Sequence, residues 1–287
     1  MKHLFLDCDD IEMSVYQWGS RDKPTILCVH GLGSSGLSFL EIAEYIKRDY
    51  CVMSLELPGH GELAISSNID FEISCLCVWI RKILIKIELQ EFFVLSHSWG
   101  AEIMTHYASI FPIGIKGIIL LDGGYHNKKL GYENNKVNHS GFTSLQEEQN
   151  FYLKDFDEYV FDNWSDYINS ESKQYMRWSP QLEEAAKDLM IEKNNKVSFK
   201  VKGSIASLAL EGMYYSSYPK CLKNTTIPII LILSMLPKEL VALRKIQLAE
   251  FQRHANLTVV EVNTTHMVHW DNPSLVIKQI YKWFMVQ

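Results

Sequence analysis

Six short apolar runs, at residues 25–29, 51–55, 92–95, 118–121, 229–233 and 257–262, close on polar or glycine residues and are separated by stretches of helical pattern. A strand buried on both faces reads as a continuous apolar run, so the series predicts a largely parallel sheet. The helical candidates between the runs are 38–48, 71–89, 99–111, 238–254 and 274–284. Ahead of the first run, 11–18 alternates as a half-buried strand should, and Gly19 and Pro24 punctuate the turn after it. Strands that alternate with helices imply an α/β fold with a doubly wound, mostly parallel sheet.

The alternation breaks once. From 123 to about 226 there is no strong parallel-strand run, and the stretch is polar, helical in pattern and dotted with aromatics: Phe151, Tyr152, Phe156, Tyr159, Trp164, Tyr167, Trp178, Tyr214 and Tyr215. A segment of this length is too big for a loop. It predicts a helical cap inserted over one end of the sheet. The expected organisation is therefore a core made of 1–122 and 227–287, with 123–226 as a cap or lid.

Composition narrows the partners. The chain has 287 residues, of which 47% are hydrophobic and 12% aromatic, enough for a sizeable core and against disorder. A net charge of −6, with no basic run longer than a pair, argues against nucleic acid or an anionic membrane and for a small-molecule substrate. Asp7, Asp9 and Asp10 interrupt the short apolar patch of the first ten residues, which does not read as a signal peptide. No run of about eighteen uncharged apolar residues suggests a membrane span, so a soluble cytoplasmic protein is expected. The six cysteines, Cys8, Cys28, Cys51, Cys75, Cys77 and Cys221, are read as small buried thiols in a reducing compartment. Cys75 and Cys77 diverge on a helical stretch and do not form a metal pair; no metal or cofactor is expected.

The chemistry concentrates in three places. Ser96-His97-Ser98-Trp99-Gly100 follows the run 92–95 and opens the helical stretch 99–111. A nucleophile on such a strand-to-helix turn needs small residues two before and two after it, and here they are Ser96 and Gly100. The helix N-terminus behind Ser98 also favours developing negative charge. His30-Gly31-Leu32-Gly33 follows the run 25–29, and its glycines let a backbone amide face an oxyanion. The N–H groups of Leu32 and Trp99 are the two expected donors; His30 is taken as a turn residue. Third, Thr265-His266-Met267-Val268-His269 lies after the last apolar run, at the same sheet edge as the Ser98 turn. Either His266 or His269 could serve as a base.

The order of these motifs resembles the α/β-hydrolase superfamily, and looks closest to its capped, esterase-like members. The matching stretches are HGLGSSG at 30–36, LPGHG at 57–61, SHSWGA at 96–101, LLDGG at 120–124 and HMVHWDNP at 266–273. The resemblance covers the whole chain except the cap. In such families the catalytic histidine stands seven residues before the proline of the last helix, which implies His266, leaving His269 to pack or shape the pocket rim. His60, in a turn signature, receives no chemical role.

Two positions depart from the family pattern. Ser96 stands where glycine is usual, which is sterically tolerable. The loop after 229–233, the usual place of the acid, reads Ser234-Met235-Leu236-Pro237-Lys238-Glu239 and has no aspartate. Some members take the acid from the end of the preceding core strand, where this chain has Asp122. Ser98, Asp122, His266 then keeps the nucleophile–acid–base order, with Glu239 as competitor and Asp271 read as helix-start chemistry. The resemblance thus implies acyl transfer on a small carboxylic ester, with the cap aromatics pointing to an apolar or aromatic acyl or alcohol part. The same machinery on a carbon–carbon or amide bond, or with an acyl acceptor, is the near alternative. A non-catalytic small-molecule receptor on the same fold is the distant one.

Overall fold

The computed structural model describes residues 1–8, 11–61, 69–138, 141–219 and 222–284. In chain order the elements are β1 (Lys2–Cys8), β2 (Ile11–Trp18), β3 (Thr25–Val29), α1 (Leu40–Ile46), β4 (Cys51–Leu55), α2 (Ile73–Lys86), β5 (Phe92–His97), α3 (Ser98–Ile110) and β6 (Ile115–Leu121). There follow α4 (Lys128–Asn138), α5 (Leu145–Glu158), β7 (Val160–Phe161), α6 (Trp164–Glu171), α7 (Pro180–Asp188), β8 (Met190–Lys193), β9 (Lys196–Phe199) and α8 (Gly203–Tyr215). The chain closes with β10 (Ile229–Ser234), α9 (Val241–Phe251), β11 (Thr258–Val262), α10 (Val268–Asp271) and α11 (Pro273–Phe284).

Eight strands form one sheet in the order β1-β2-β4-β3-β5-β6-β10-β11. β2 runs antiparallel to β1 and β4; all other neighbours are parallel. Every residue of β3, β4, β5 and β10 is buried, as their continuous apolar runs require. Two cores result, one on each face. Leu27, Val29, Val94 and Leu120 pack with α2, α3 and α9 on one face, while Ile26, Cys28, Leu95 and Ile119 pack with α1 and α11 on the other. Residues alternate faces along each strand, so both layers draw on the same strands.

β6 and β10 are hydrogen-bonded neighbours although the whole stretch from α4 to α8 lies between them in sequence. That stretch contains the expected helices, started by side-chain caps: Ser144, Asn163 and Ser179 accept from the amides of Glu147, Asp166 and Leu182. Its pattern also differs from expectation, because it carries a three-stranded antiparallel sheet, β7-β9-β8. These strands have two to four residues and mostly half-buried or exposed side chains, so no apolar run marks them. α5 and α8 pack against each other, and α7 rests on α1.

Cys28, Cys51 and Cys77 are buried free thiols and Cys75 is half-buried; Cys221 and the side chain of Cys8 lie outside the described residues. No helix among the described residues is long and apolar enough to cross a membrane.

Candidate active site

β5 passes into α3 with no residue between them, so the chain turns sharply at Ser98, whose φ is +51°. A side-chain-bearing residue in this left-handed region is strained, and only surrounding structure can hold it there. Two glycines supply the room. A Cβ on Gly100 would lie 2.3 Å from the His30 carbonyl oxygen, and one on Gly123 would lie 2.4 Å from that of Ser98. Ser96 is fully buried inside β5 and fits without a glycine.

Three residues from separate parts of the chain meet at this turn. His266 Nε2 is 2.9 Å from Ser98 Oγ, and His266 Nδ1 is 2.7 Å from Asp122 Oδ2. Asp122 follows β6, is 1% exposed and also has a positive φ, +42°. Burial pushes its carboxyl up, but the hydrogen bond and charge of His266, with Arg244 behind them, bring it down to about 2. An ionised carboxylate only accepts, so Nδ1 carries the imidazole proton and Nε2 is free to accept from the Ser98 hydroxyl. Ser234 fixes Asp122 further: its amide donates to Oδ1 at 3.0 Å and its hydroxyl to Oδ2 at 2.8 Å. Arg244 stands 3.6 Å from Oδ2 and donates to the carbonyls of Ser234 and Leu236.

Leu32 and Ser98 line one cavity of about 340 Å³. Trp99 is the second residue of α3, where amides have no intrahelical acceptor, and the Leu32 amide donates to no group among the described residues. The loop bearing Leu32 is tied down by imidazoles. His30, fully buried, accepts the Leu57 amide at Nε2 and faces the Gly31 carbonyl through Nδ1. His60 accepts the Gly33 amide at 3.0 Å; burial lowers its pKa to about 3, so it stays neutral in that role. His60 receives no chemical role from the sequence because it falls in a turn signature; its bond to the Gly33 amide, 27 residues away, is one that no local pattern marks.

Two further histidines stand close to the turn. His269 is buried, stacks on Phe39 and contacts Ser38 Oγ at 2.8 Å, so it packs instead of facing Ser98. His97 Nε2 donates to the His266 carbonyl at 3.0 Å, which braces the backbone of the loop that carries His266. Burial holds His97 well below its ordinary pKa.

Glu239 is exposed, and Asp122 occupies the position beside His266. Asp271 does not start a helix: Asn272 Oδ1 accepts from Leu275 at the head of α11. Asp271 instead accepts from the Thr265 amide and hydroxyl and from the Met176 amide, joining the His266 loop to the segment after α6. Of the nine aromatics noted between 123 and 226, Tyr159 and Tyr167 line the cavity, and Phe156 stacks on Phe199, which also lines it. Glu171 and Tyr175, unmarked by any sequence pattern, line it too. Asp70, Glu72 and Cys75 come within 4.8 Å of one another in an exposed acidic turn outside the cavity.

The family model of the alpha/beta hydrolase fold matches residues 24–273. A serine hydrolase-like protein of Mus musculus is 27% identical over 106 residues, 37% of this chain and 34% of that protein. One of Danio rerio is 20% identical over 295 residues, covering 94% of this chain and 84% of that protein. The chain spans about a third to a half of the length of the first curated relatives it matches. Among solved structures, E-2-(acetamidomethylene)succinate hydrolase superposes with a TM-score of 0.79 at 14% identity, over 99% of both chains.

Proposed function

The chain belongs to the α/β-hydrolase fold family, and from that membership we propose that it is a serine hydrolase cleaving a small carboxylic ester through an acyl-enzyme. The observation that carries this reading is the unbroken hydrogen-bonded series from Ser98 through His266 to Asp122.

His266 Nε2 takes the Ser98 proton as Oγ bonds to the ester carbon. The carbonyl oxygen becomes an oxyanion that the Leu32 and Trp99 amides stabilise. Collapse breaks the bond to the leaving alkoxide, which receives the proton from His266. Water, deprotonated by the same imidazole, then attacks the acyl carbon; the bond to Ser98 Oγ breaks, the acid leaves, and His266 returns the proton to Oγ. Asp122 holds the ring tautomer and stabilises the imidazolium formed twice in each cycle. Residues 123–226 act as the lid that selects the substrate. All described thiols are unpaired, which fits a cytoplasmic protein.

Incubation with a fluorophosphonate followed by peptide mapping tests the reading. Ser98 should be labelled, and His266→Ala should abolish labelling without unfolding the protein. A folded, unlabelled wild type would favour a ligand receptor on the same fold.

A further inference from the structure

Glu171 closes α6 and is 5% exposed, yet no lysine or arginine among the described residues pairs with it. Its partners are neutral. Tyr159 donates to Oε2 at 2.8 Å and Gln174 at 3.2 Å, while Tyr175 donates to Oε1 at 2.7 Å. Burial, and then the charge of Glu171, push both phenols above their ordinary range, so they remain donors. Three neutral donors orient a carboxylate that has about four acceptor positions, and they leave its charge uncancelled.

That charge borders the cavity which holds Ser98 and His266. Asp155 lines the same cavity, and the described lining residues include neither lysine nor arginine. His97, the other imidazole there, is kept neutral by burial. The walls are aromatic: Tyr159 and Phe199 are 5.9 Å apart, and Tyr175 and Trp270 are 4.8 Å apart, between ring centroids. Ring faces backed by an uncompensated anion attract an alkylammonium group and disfavour a second anion.

Resting on the serine-hydrolase reading, we infer that the substrate is an ester bearing a positively charged ammonium group, seated against Glu171, Tyr159, Tyr175 and Phe199 while its carbonyl meets Ser98. Glu171 is then a specificity-determining residue that takes no part in bond making.

A matched pair of probes tests this: acetylthiocholine and its neutral carbon isostere, 3,3-dimethylbutyl thioacetate. The wild type should turn over the charged ester with kcat/KM at least about tenfold above the isostere. Glu171→Gln should bring that ratio close to unity through KM of the charged probe, leaving the isostere within about threefold of wild type. Asp155→Asn, at a more exposed position, should lower the ratio by a smaller factor that vanishes in high salt. Tetramethylammonium should protect Ser98 from the fluorophosphonate in wild type and not in Glu171→Gln. Equal turnover of both probes by a wild type that labels at Ser98 overturns the ammonium site and spares the hydrolase. A ratio that survives Glu171→Gln also overturns it. Equal loss of both probes in Glu171→Gln, with lowered thermal stability, would show Glu171 merely anchoring its tyrosines. If Ser98 is not labelled and neither probe reacts, the hydrolase reading fails first.

Discussion

Asp122 Oδ2 and His266 Nδ1 lie 2.7 Å apart although 144 residues separate them along the chain. Asp122 is buried and further held by Ser234, so its negative charge is fixed in direction before any substrate arrives. Asp122→Asn should therefore lower kcat for an activated ester by about 10³–10⁴-fold, because the amide can present the wrong donor to Nδ1. Glu239→Gln, at an exposed position, should stay within about twofold of wild type. Steady-state kinetics on the two variants decides between the carboxylates, and the opposite ranking would move the assignment.

The strained turn at Ser98 predicts an inversion of the usual glycine penalty. With φ at +51°, Ser98→Gly should be more stable than Ser98→Ala by about 1 kcal/mol, or roughly 2 °C in Tm, while both lose activity. Thermal melts of the paired variants check it; an alanine variant at least as stable as the glycine one would show that the turn is relaxed.

Gly100 gives the sharpest steric forecast. A methyl group there would stand 2.3 Å from the His30 carbonyl oxygen and 2.5 Å from that of Val29, both backbone atoms of the sheet edge. Gly100→Ala should cost more than about 3 kcal/mol, read as loss of soluble protein or a lowered denaturant midpoint. Ser96→Gly, which restores the commoner family residue, should leave turnover within about threefold of wild type.

Acid stability follows from histidines buried in the neutral form. Burial lowers His60, His126 and His269 to about 3 and His106 to about 4. An unfolded histidine titrates near 6.5, so below that value the unfolded chain binds protons that the native one refuses. The sign is therefore a loss of stability as pH falls from about 6.5 towards 3, with full stability above that window. Denaturant titrations should show the unfolding free energy dropping by several kcal/mol between about pH 6.5 and 5. His269→Gln should flatten the slope by about one proton. The depressed carboxyl of Asp122 contributes in a lower window: its share is present above about 4 and fades as pH falls to about 2.

The core strands were legible because both of their faces are buried and apolar side chains dominate them, with a few polar ones such as Thr25 and Ser54 admitted; Thr25–Val29 and Cys51–Leu55 match their apolar runs residue for residue. β1 escaped notice because one side of an edge strand meets solvent, and Lys2, Phe5 and Asp7 are exposed there. β7, β8 and β9 escaped because strands this short need only a few buried residues, among them Val197 and Met190. Strand ends placed the Ser98 turn and the His266 loop at one sheet edge, and the family resemblance then implied His266 over His269 and Asp122 over Glu239. The partners of Asp271 could not be singled out, since Thr265 and Met176 reach it through folding and no spacing in the chain encodes the meeting. Glu171 was hidden for the same reason: in sequence it is one more acidic residue of a polar helix.

On the proposed reading, in which Asp122 at the end of β6 is the acid, the turn beyond Leu236 carries no reacting group, while Ser234 and Leu236 before it anchor Asp122 and Arg244. Lys238 and Glu239 at that turn point into solvent. The polypeptide could be opened there to host a foreign peptide, an affinity handle or a new pair of termini, and the pocket would register little of it. A relative of this chain could lengthen or shorten that crossing freely, and divergence should accumulate there sooner than around the neighbouring strand ends.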